Sequence, residues 1–486
     1  MRPFPSLAST LLAAALLPAC QSQSTQEKAP SGQTDCPATP PEYTIRHPDW
    51  ARQASIYEVN IRQYTPEGTF RAFEAHLPRL QKMGVGILWL MPVYPIGQER
   101  RKGTLGSYYS VRDYRAVNPE MGSMDDLRHL VAEAHRRGMY VILDWVANHT
   151  SWDSKLAREH PEWFTRNRQG QFVAPVADWQ DVIDLDFSQP GLRQYMTESL
   201  LYWVREADVD GYRCDVAGLV PTEFWNSSRA ALEKIKPVFM LAEWDELHAP
   251  PFLRPGEFDP NTRLLEKAFD ATYALRLRYL LDSVARGRQP VAAVDKYLQA
   301  ERAKYPPSSY LMTFTTSHDI NSWDGSEYER LGPDVQPQAV LAALLPGIPM
   351  VYSGQEAAMR KRLKFFDKDP IAWGNYPLLD FYTRLLQLKK RNPALANGDA
   401  CGRLTRLPAA DKDVYAFVRH RGGGPEAVLV AVNLGPELRE LPVPAAWHGD
   451  YRDVFADQPY MLAPGAALPV PPHSYRVLER AVTHQP

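Results

Sequence analysis

Only four of the 486 residues are cysteine: Cys20, Cys36, Cys214 and Cys401. Their wide spacing, and the odd number left once Cys20 is set aside, suggest neither a disulfide framework nor a metal cluster. The sequence also lacks an excess of charge, since 55 basic residues face 57 acidic ones for a net charge of −2. That balance gives no reason to expect nucleic acid or an anionic membrane surface as a partner. No apolar run is long enough to cross a bilayer, and no internal repeat is present. No Gly-rich phosphate loop follows the first strand-like segment, which removes the usual nucleotide-binding arrangement of a doubly wound sheet. What remains is an ordinary folded composition with a large core, 44% apolar and 23% charged.

The N-terminus carries a processing signal. Arg2 precedes an apolar run from Leu7 to Leu17, which ends in Leu17-Pro18-Ala19-Cys20. The run has signal-peptide length. Small residues followed directly by Cys resemble the lipobox of bacterial lipoproteins, which implies lipidation at Cys20 after removal of residues 1–20. Ser22 resembles the outer-membrane sorting pattern, so the expected location is the cell envelope, on the outer membrane of a Gram-negative bacterium. The plainer alternative is a conventionally cleaved secretory peptide. Residues 21–45, rich in Gln, Ser and Pro near their start, read as a flexible tether.

From Ser55 onward, apolar strand-like runs alternate with amphipathic helical segments. Candidate strands are Ile56–Asn60, Gly86–Met91, Tyr140–Val146, Gly211–Asp215, Val238–Glu243, Phe269–Tyr273, Tyr310–Thr315 and Pro349–Ser353. Their continuous apolar character suits parallel strands buried on both faces. Ser123 with Asp126 three places on reads as a helix N-cap, and Gly138 as that helix's stop. A second helix is expected after Ser188, where Leu192, Met196, Leu200 and Trp203 share one face. Eight such units predict an α/β fold, a (β/α)₈ barrel over residues 46–396. A long irregular stretch, 149–187, interrupts it after the third strand, and loops of that length are usually functional. Residues 397–486 change to short strand-like runs between Gly/Pro turns, predicting a small all-β domain.

Four barrel strands end in acidic residues: Asp144, Asp215, Glu243 and, after Ser317-His318, Asp319. Barrel enzymes place their active sites at this carboxyl-terminal mouth. A lone acid at a strand end is more often a cap or an ion pair, but four converging on one mouth point to acid–base chemistry. In this order, the segments around Leu143–His149, Gly211–Asp215, Met240–Glu243 and Phe314–Asp319 resemble the four signature regions of the α-amylase family of glycoside hydrolases. Gly106-Ser107-Tyr108-Tyr109-Ser110 and the Gly347–Glu356 segment strengthen the resemblance, which covers nearly all of the chain after the tether.

The resemblance implies a barrel, a small inserted domain and a C-terminal β-sandwich. It implies Asp215 as nucleophile and Glu243 as acid/base in a retaining mechanism, with the two carboxyls ~5–5.5 Å apart. At that separation anionic Asp215 holds Glu243 protonated. Asp319 matches the third carboxylate, which grips the distorted sugar. Arg213, on the same strand face as Asp215, orients that carboxylate. His149 and His318 match hydroxyl-binding histidines, Tyr109 the stacking aromatic, and Asp144 a support bonded to Arg213. The chemistry then needs no cofactor. Asn148 matches a ligand of the family's structural calcium, so that ion stays in play. Three departures stand out: Ser317 for the usual Asn, and Gly218 and Leu219 where many members carry Lys and His.

The expected substrate is an oligo- or polysaccharide α-glucan, cleaved by hydrolysis at α-1,4 bonds. A transglycosylase or glucose isomerase of the same family would use the same intermediate with another acceptor. A surface glycan-binding protein with a dead barrel is the non-enzymatic alternative, and the three intact carboxylates count against it.

Overall fold

A computed structural model describes residues 43–247, 258–398, 402–422 and 426–480. The expected signal peptide, most of the tether, Cys20, Cys36 and Cys401 lie outside the described residues.

Eight parallel strands close a barrel in simple chain order. They are Ile56–Val59, Ile87–Leu90, Tyr140–Trp145, Gly211–Cys214, Phe239–Ala242, Ala271–Tyr273, Tyr310–Thr313 and Ile348–Tyr352. Closure is direct, because Ile56 pairs with Met350 of the eighth strand and with Ile87 of the second. Successive side chains alternate across a strand. Ile56, Ile87, Ile142, Phe239, Met312 and Ile348 therefore fill the barrel interior. Tyr57, Leu88, Val141, Tyr212, Met240 and Val351 face the surrounding helices. With both faces covered, neither position can be polar without a partner, which explains the continuous apolar runs.

Ser123 caps the helix Met124–Arg136 through a reciprocal capping box with Asp126. That helix buries Leu127, Leu130, Val131 and Ala134, and the chain turns away at Gly138 with φ +69°. The helix Pro190–Ala207 starts with proline in its first position, where no N–H is needed. The stretch 149–187 is less irregular than its composition suggests. It holds an antiparallel pair, His149–Ser151 with Val182–Asp184, and a short helix, Lys155–Glu159. Three-residue strands are too short to show a period.

The C-terminal region forms a six-stranded antiparallel sheet and a two-stranded one, Arg439–Pro442 with Ala467–Val470. Alternation again divides the work. Tyr415, Phe417, Val428 and Val430 pack in the same core as the barrel helices. Val414, Ala416, Val418 and Leu429 pack against Leu441, Leu468 and Val470 of the smaller sheet.

Gly211 opens the strand that carries the central site residues, at φ +145°. A Cβ there would lie 1.9 Å from the Phe239 carbonyl oxygen of the neighbouring strand. Gly211→Ala is expected to cost about 2–4 kcal/mol, by a steric and backbone mechanism. Urea unfolding followed by tryptophan fluorescence measures it, and an unchanged midpoint would show that the barrel tolerates the methyl group.

Candidate active site

The same alternation that builds the barrel interior turns Glu58, Trp89, Asp144 and Arg213 inward, each lying between residues that face the helices. Arg213 is fully buried at their centre. Its Nη1 lies 2.8 Å from Asp144 Oδ1 and 3.1 Å from Asp215 Oδ1. Its Nη2 lies 2.7 Å from Glu243 Oε2, and its Nε donates to the Tyr273 hydroxyl at 3.0 Å. Burial works against the guanidinium charge, but Asp144 and Glu243 outweigh it and hold the group firmly cationic. Asp144 Oδ2 accepts from Trp89 Nε1 and from the Tyr109 hydroxyl, both at 3.1 Å.

Asp215 and Glu243 directly follow adjacent strands. The residue between Asp215 and the next helical turn, Val216, has φ +36°. A β-branched residue is rarely found there, and such strain costs about 1–3 kcal/mol. It aims the Val216 N–H at Glu243 Oε2, 3.0 Å away. Asp215 Oδ1 is engaged by Arg213, which leaves Oδ2 facing His149 Nε2 at 3.9 Å. Burial, and then the charge of Glu243, push the Asp215 carboxyl well above the ordinary range, with Arg213 opposing.

Across the mouth, Tyr109 OH lies 2.8 Å from His318 Nε2, and the two rings stack with centroids 5.5 Å apart. His318 Nε2 also lies 3.2 Å from Asp319 Oδ2, and its Nδ1 bonds Glu58 Oε1. Burial alone would favour the neutral ring. Asp319 and Glu58 reverse that and hold His318 well above the usual histidine range. Asp319, also pushed up by burial, ends below the ordinary carboxylate range because the His318 charge wins. His149 has only Asp215 beside it, at 3.9 Å, and burial drives its pKa down to about 3. One histidine is thus a charged donor and the other a neutral one.

Asp319 does not sit at the strand end itself. The seventh strand stops at Thr313, and Asp319 heads a π-helical turn, Ile320–Asp324, a feature frequent at functional sites. Its side chain, 42% exposed, opens on a cleft of about 660 Å³ that Tyr109, His149, Asp215, Glu243 and Trp323 also line. All seven residues expected to be catalytic or to bind substrate therefore meet at one mouth, with Asp144 behind them. Sequence reasoning missed Glu58. A charge inside a strand with both faces buried was the available signal.

Residues 49–179 and 152–373 match the α-amylase catalytic-domain family. The chain belongs to the α-amylase family. It is 26% identical to an α-amylase of Haloarcula japonica over 83% of this chain, and 58% of that protein. It is 29% identical to an α-1,4-glucan:maltose-1-phosphate maltosyltransferase of Rhodospirillum rubrum over 82% of this chain and 59% of that one. The chain thus spans less than two thirds of either relative. A solved α-amylase from Lactobacillus plantarum superposes with a TM-score of 0.79 at 32% identity, over 89% of this chain and all of that one.

One departure from the family pattern, Gly218, has a structural cause. A Cβ on Gly218 would lie 2.4 Å from the indole of Trp244, the residue after Glu243. A lysine at 218 and this tryptophan exclude one another. Sequence reasoning gave Trp244 no role, because nothing in its spacing sets it apart. Asn148, the position matching a ligand of the family's structural calcium, is buried beside His149. The Asn148 carbonyl accepts from Leu185 N–H at 3.1 Å, and its side-chain amide lies 3.3 Å from His149 Nδ1. Among the described residues no group of three or more His, Cys, Asp or Glu is placed to hold a metal ion. Calcium takes about six to eight oxygen ligands, several of them charged. Asn side chains and backbone carbonyls can supply such oxygens, and Asn148 is the position here that matches the family's site.

Glu58→Gln removes one of the two carboxylates that keep His318 charged. The imidazolium then loses its proton at lower pH, so the alkaline limb of the kcat/KM profile on a maltodextrin is expected to move acidward. An unmoved limb would show that Glu58 does not govern His318.

Proposed function

We propose that the protein hydrolyses α-glucosidic bonds of maltodextrins, chiefly α-1,4, with retention of configuration. The carrying observation is that one buried guanidinium touches both Asp215 and Glu243, 3.1 and 2.7 Å away. Contact with a common cation favours the short carboxyl separation of retaining enzymes, ~5–5.5 Å.

Asp215 Oδ2, the oxygen not held by Arg213, attacks the anomeric carbon. The bond to the leaving oxygen breaks, and Glu243 gives that oxygen its proton. Glu243 then takes a proton from water, whose oxygen displaces Asp215 and releases the α-anomer. Glu243 Oε2 accepts the Val216 N–H, which leaves Oε1 to carry the travelling proton. Asp319 and charged His318 grip the ring hydroxyls as the sugar flattens, and Tyr109 offers its face to the ring.

Transfer to a sugar acceptor is the second reading. It is favoured by Gly218, which leaves the leaving-group side without the lysine that many family members carry there. A binding-only role is disfavoured by the intact, strained arrangement around Asp215. The N-terminal segment, by its lipobox-like pattern, anchors the enzyme through Cys20 to the envelope of a Gram-negative cell.

Asp215→Asn and Glu243→Gln are each expected to lower kcat on maltoheptaose by at least about 1,000-fold with folding retained. Proton NMR of the wild type should show the α-anomer of shorter maltodextrins first. Near-normal turnover in either variant would remove that residue from the mechanism, and longer products would favour transfer. Cys20→Ser should move the protein out of the membrane fraction; unchanged fractionation would exclude the lipid anchor.

A further inference from the structure

Resting on that reading, we propose that Lys102 closes the non-reducing end of the cleft, so that the enzyme trims short maltodextrins from their ends and does not cut within long chains. The loop after the second strand is tied down on both sides. Toward the inserted stretch, Lys102 Nζ lies 2.9 Å from Asp181 Oδ1 and donates to the Asp178 carbonyl at 2.9 Å. Asp181 is itself buried and accepts at its carbonyl from Ser110. Gln98 N–H adds a bond to Asp153 Oδ1 at 3.1 Å. Toward the loop after the eighth strand, Leu105 N–H donates to the Phe366 carbonyl at 2.9 Å. Thr104 donates from both its N–H and its hydroxyl to Asp367 Oδ1, at 2.8 and 2.6 Å. Gly103 permits the approach, for a Cβ there would meet Phe366 Cβ at 2.5 Å.

Lys102, Asp178, Asp181 and Phe366 line the same cleft as Asp215. Three loops thus form one wall, and Lys102 joins two of them.

The chemistry says which end that wall blocks. Glu243 protonates the leaving oxygen, so the departing part of the chain lies toward Glu243 and Val216. Tyr109, His318 and Asp319 hold the sugar being attacked. Lys102 belongs to the loop that runs directly into Ser107 and Tyr109, so its wall stands beyond that sugar, on the non-reducing side. A polymer cut internally must leave the cleft at both ends, and the wall denies it one exit. The cleft, about 660 Å³, has the volume of sites that enclose a single small ligand, which suits a short oligosaccharide.

The test uses two substrates: free maltoheptaose, and maltoheptaose whose terminal non-reducing glucose carries an ethylidene cap on its two outermost hydroxyls. Wild type is expected to cut the capped substrate about 100-fold more slowly, on the scale by which a shaped site rejects a misfit group. Lys102→Ala, which releases the wall, is expected to regain most of that loss and to cut the free substrate at scattered positions. Equal rates on both substrates in the wild type would overturn the proposal, as would a Lys102→Ala enzyme with the wild-type ratio. If neither substrate were cut, the hydrolase reading itself would fall, and this inference with it. The wild-type ratio needs no variant to fold.

Discussion

The site depends on one buried positive charge. A guanidinium taken from water is costly unless carboxylates surround it, and Arg213 is fully enclosed by the barrel. Asp144 beneath it forms the neutralising partner. Likewise Glu58 balances His318. Arg213 also reaches Asp215 and Glu243, and His318 also reaches Asp319, so two cations face five carboxylates around the cleft. Two cations are too few for every one of these carboxyls to stay ionised in a low-dielectric mouth, and Asp215 is the one pushed well above the ordinary range. In the proposed mechanism, the proton held within this group is the one that reaches the leaving oxygen through Glu243. The acids below the sugar-binding surface therefore serve the reaction by leaving the cleft short of positive charge.

This arrangement is bought with local strain, held by regular structure around it. The barrel strands are straightforward, but the chain departs from regular geometry immediately after two of the three carboxylates. Val216 takes a left-handed conformation, and Asp319 opens a π-helical turn. Neither follows from the preferences of the residues concerned. Both are held by bonds to the site: Val216 N–H to Glu243, and Asp319 to His318. Local rules fail where function demands a particular direction of a side chain.

That pattern also explains what could be read from the sequence. The eight strands were legible because burial on both faces leaves continuous apolar runs, and Asp215 and Glu243 because they end such runs. The resemblance to the α-amylase family supplied roles that spacing alone would not. Glu58 was hidden by its context, since a charged residue within Ile56–Val59 contradicts the rule that identifies the strand. Its partner, His318, is 260 positions away in the chain. Trp244 was hidden for another reason. Its importance lies in the volume it takes from Gly218, and a steric exclusion between segments that follow separate strands leaves no periodic trace. The short pair of strands within 149–187 was lost because three residues do not make a pattern.

Chemistry and specificity rest on separable parts of the molecule. Arg213, Glu58 and Asp144 stand on barrel strands, each paired to neighbours on both sides, and their positions are fixed by closure of the whole sheet. Lys102 stands on a loop, and its side chain is 36% exposed. Its ion pair contributes little to stability, by the usual measure of partly exposed pairs. Its consequence is geometric: it joins loops that would otherwise leave a gap beside the reacting sugar. A substitution there can alter which chains enter without disturbing the charge balance that retains the catalytic proton. In a family built on one barrel, differences in how the loops are tied over the mouth are enough to turn the same acid–base machinery toward different lengths of glucan.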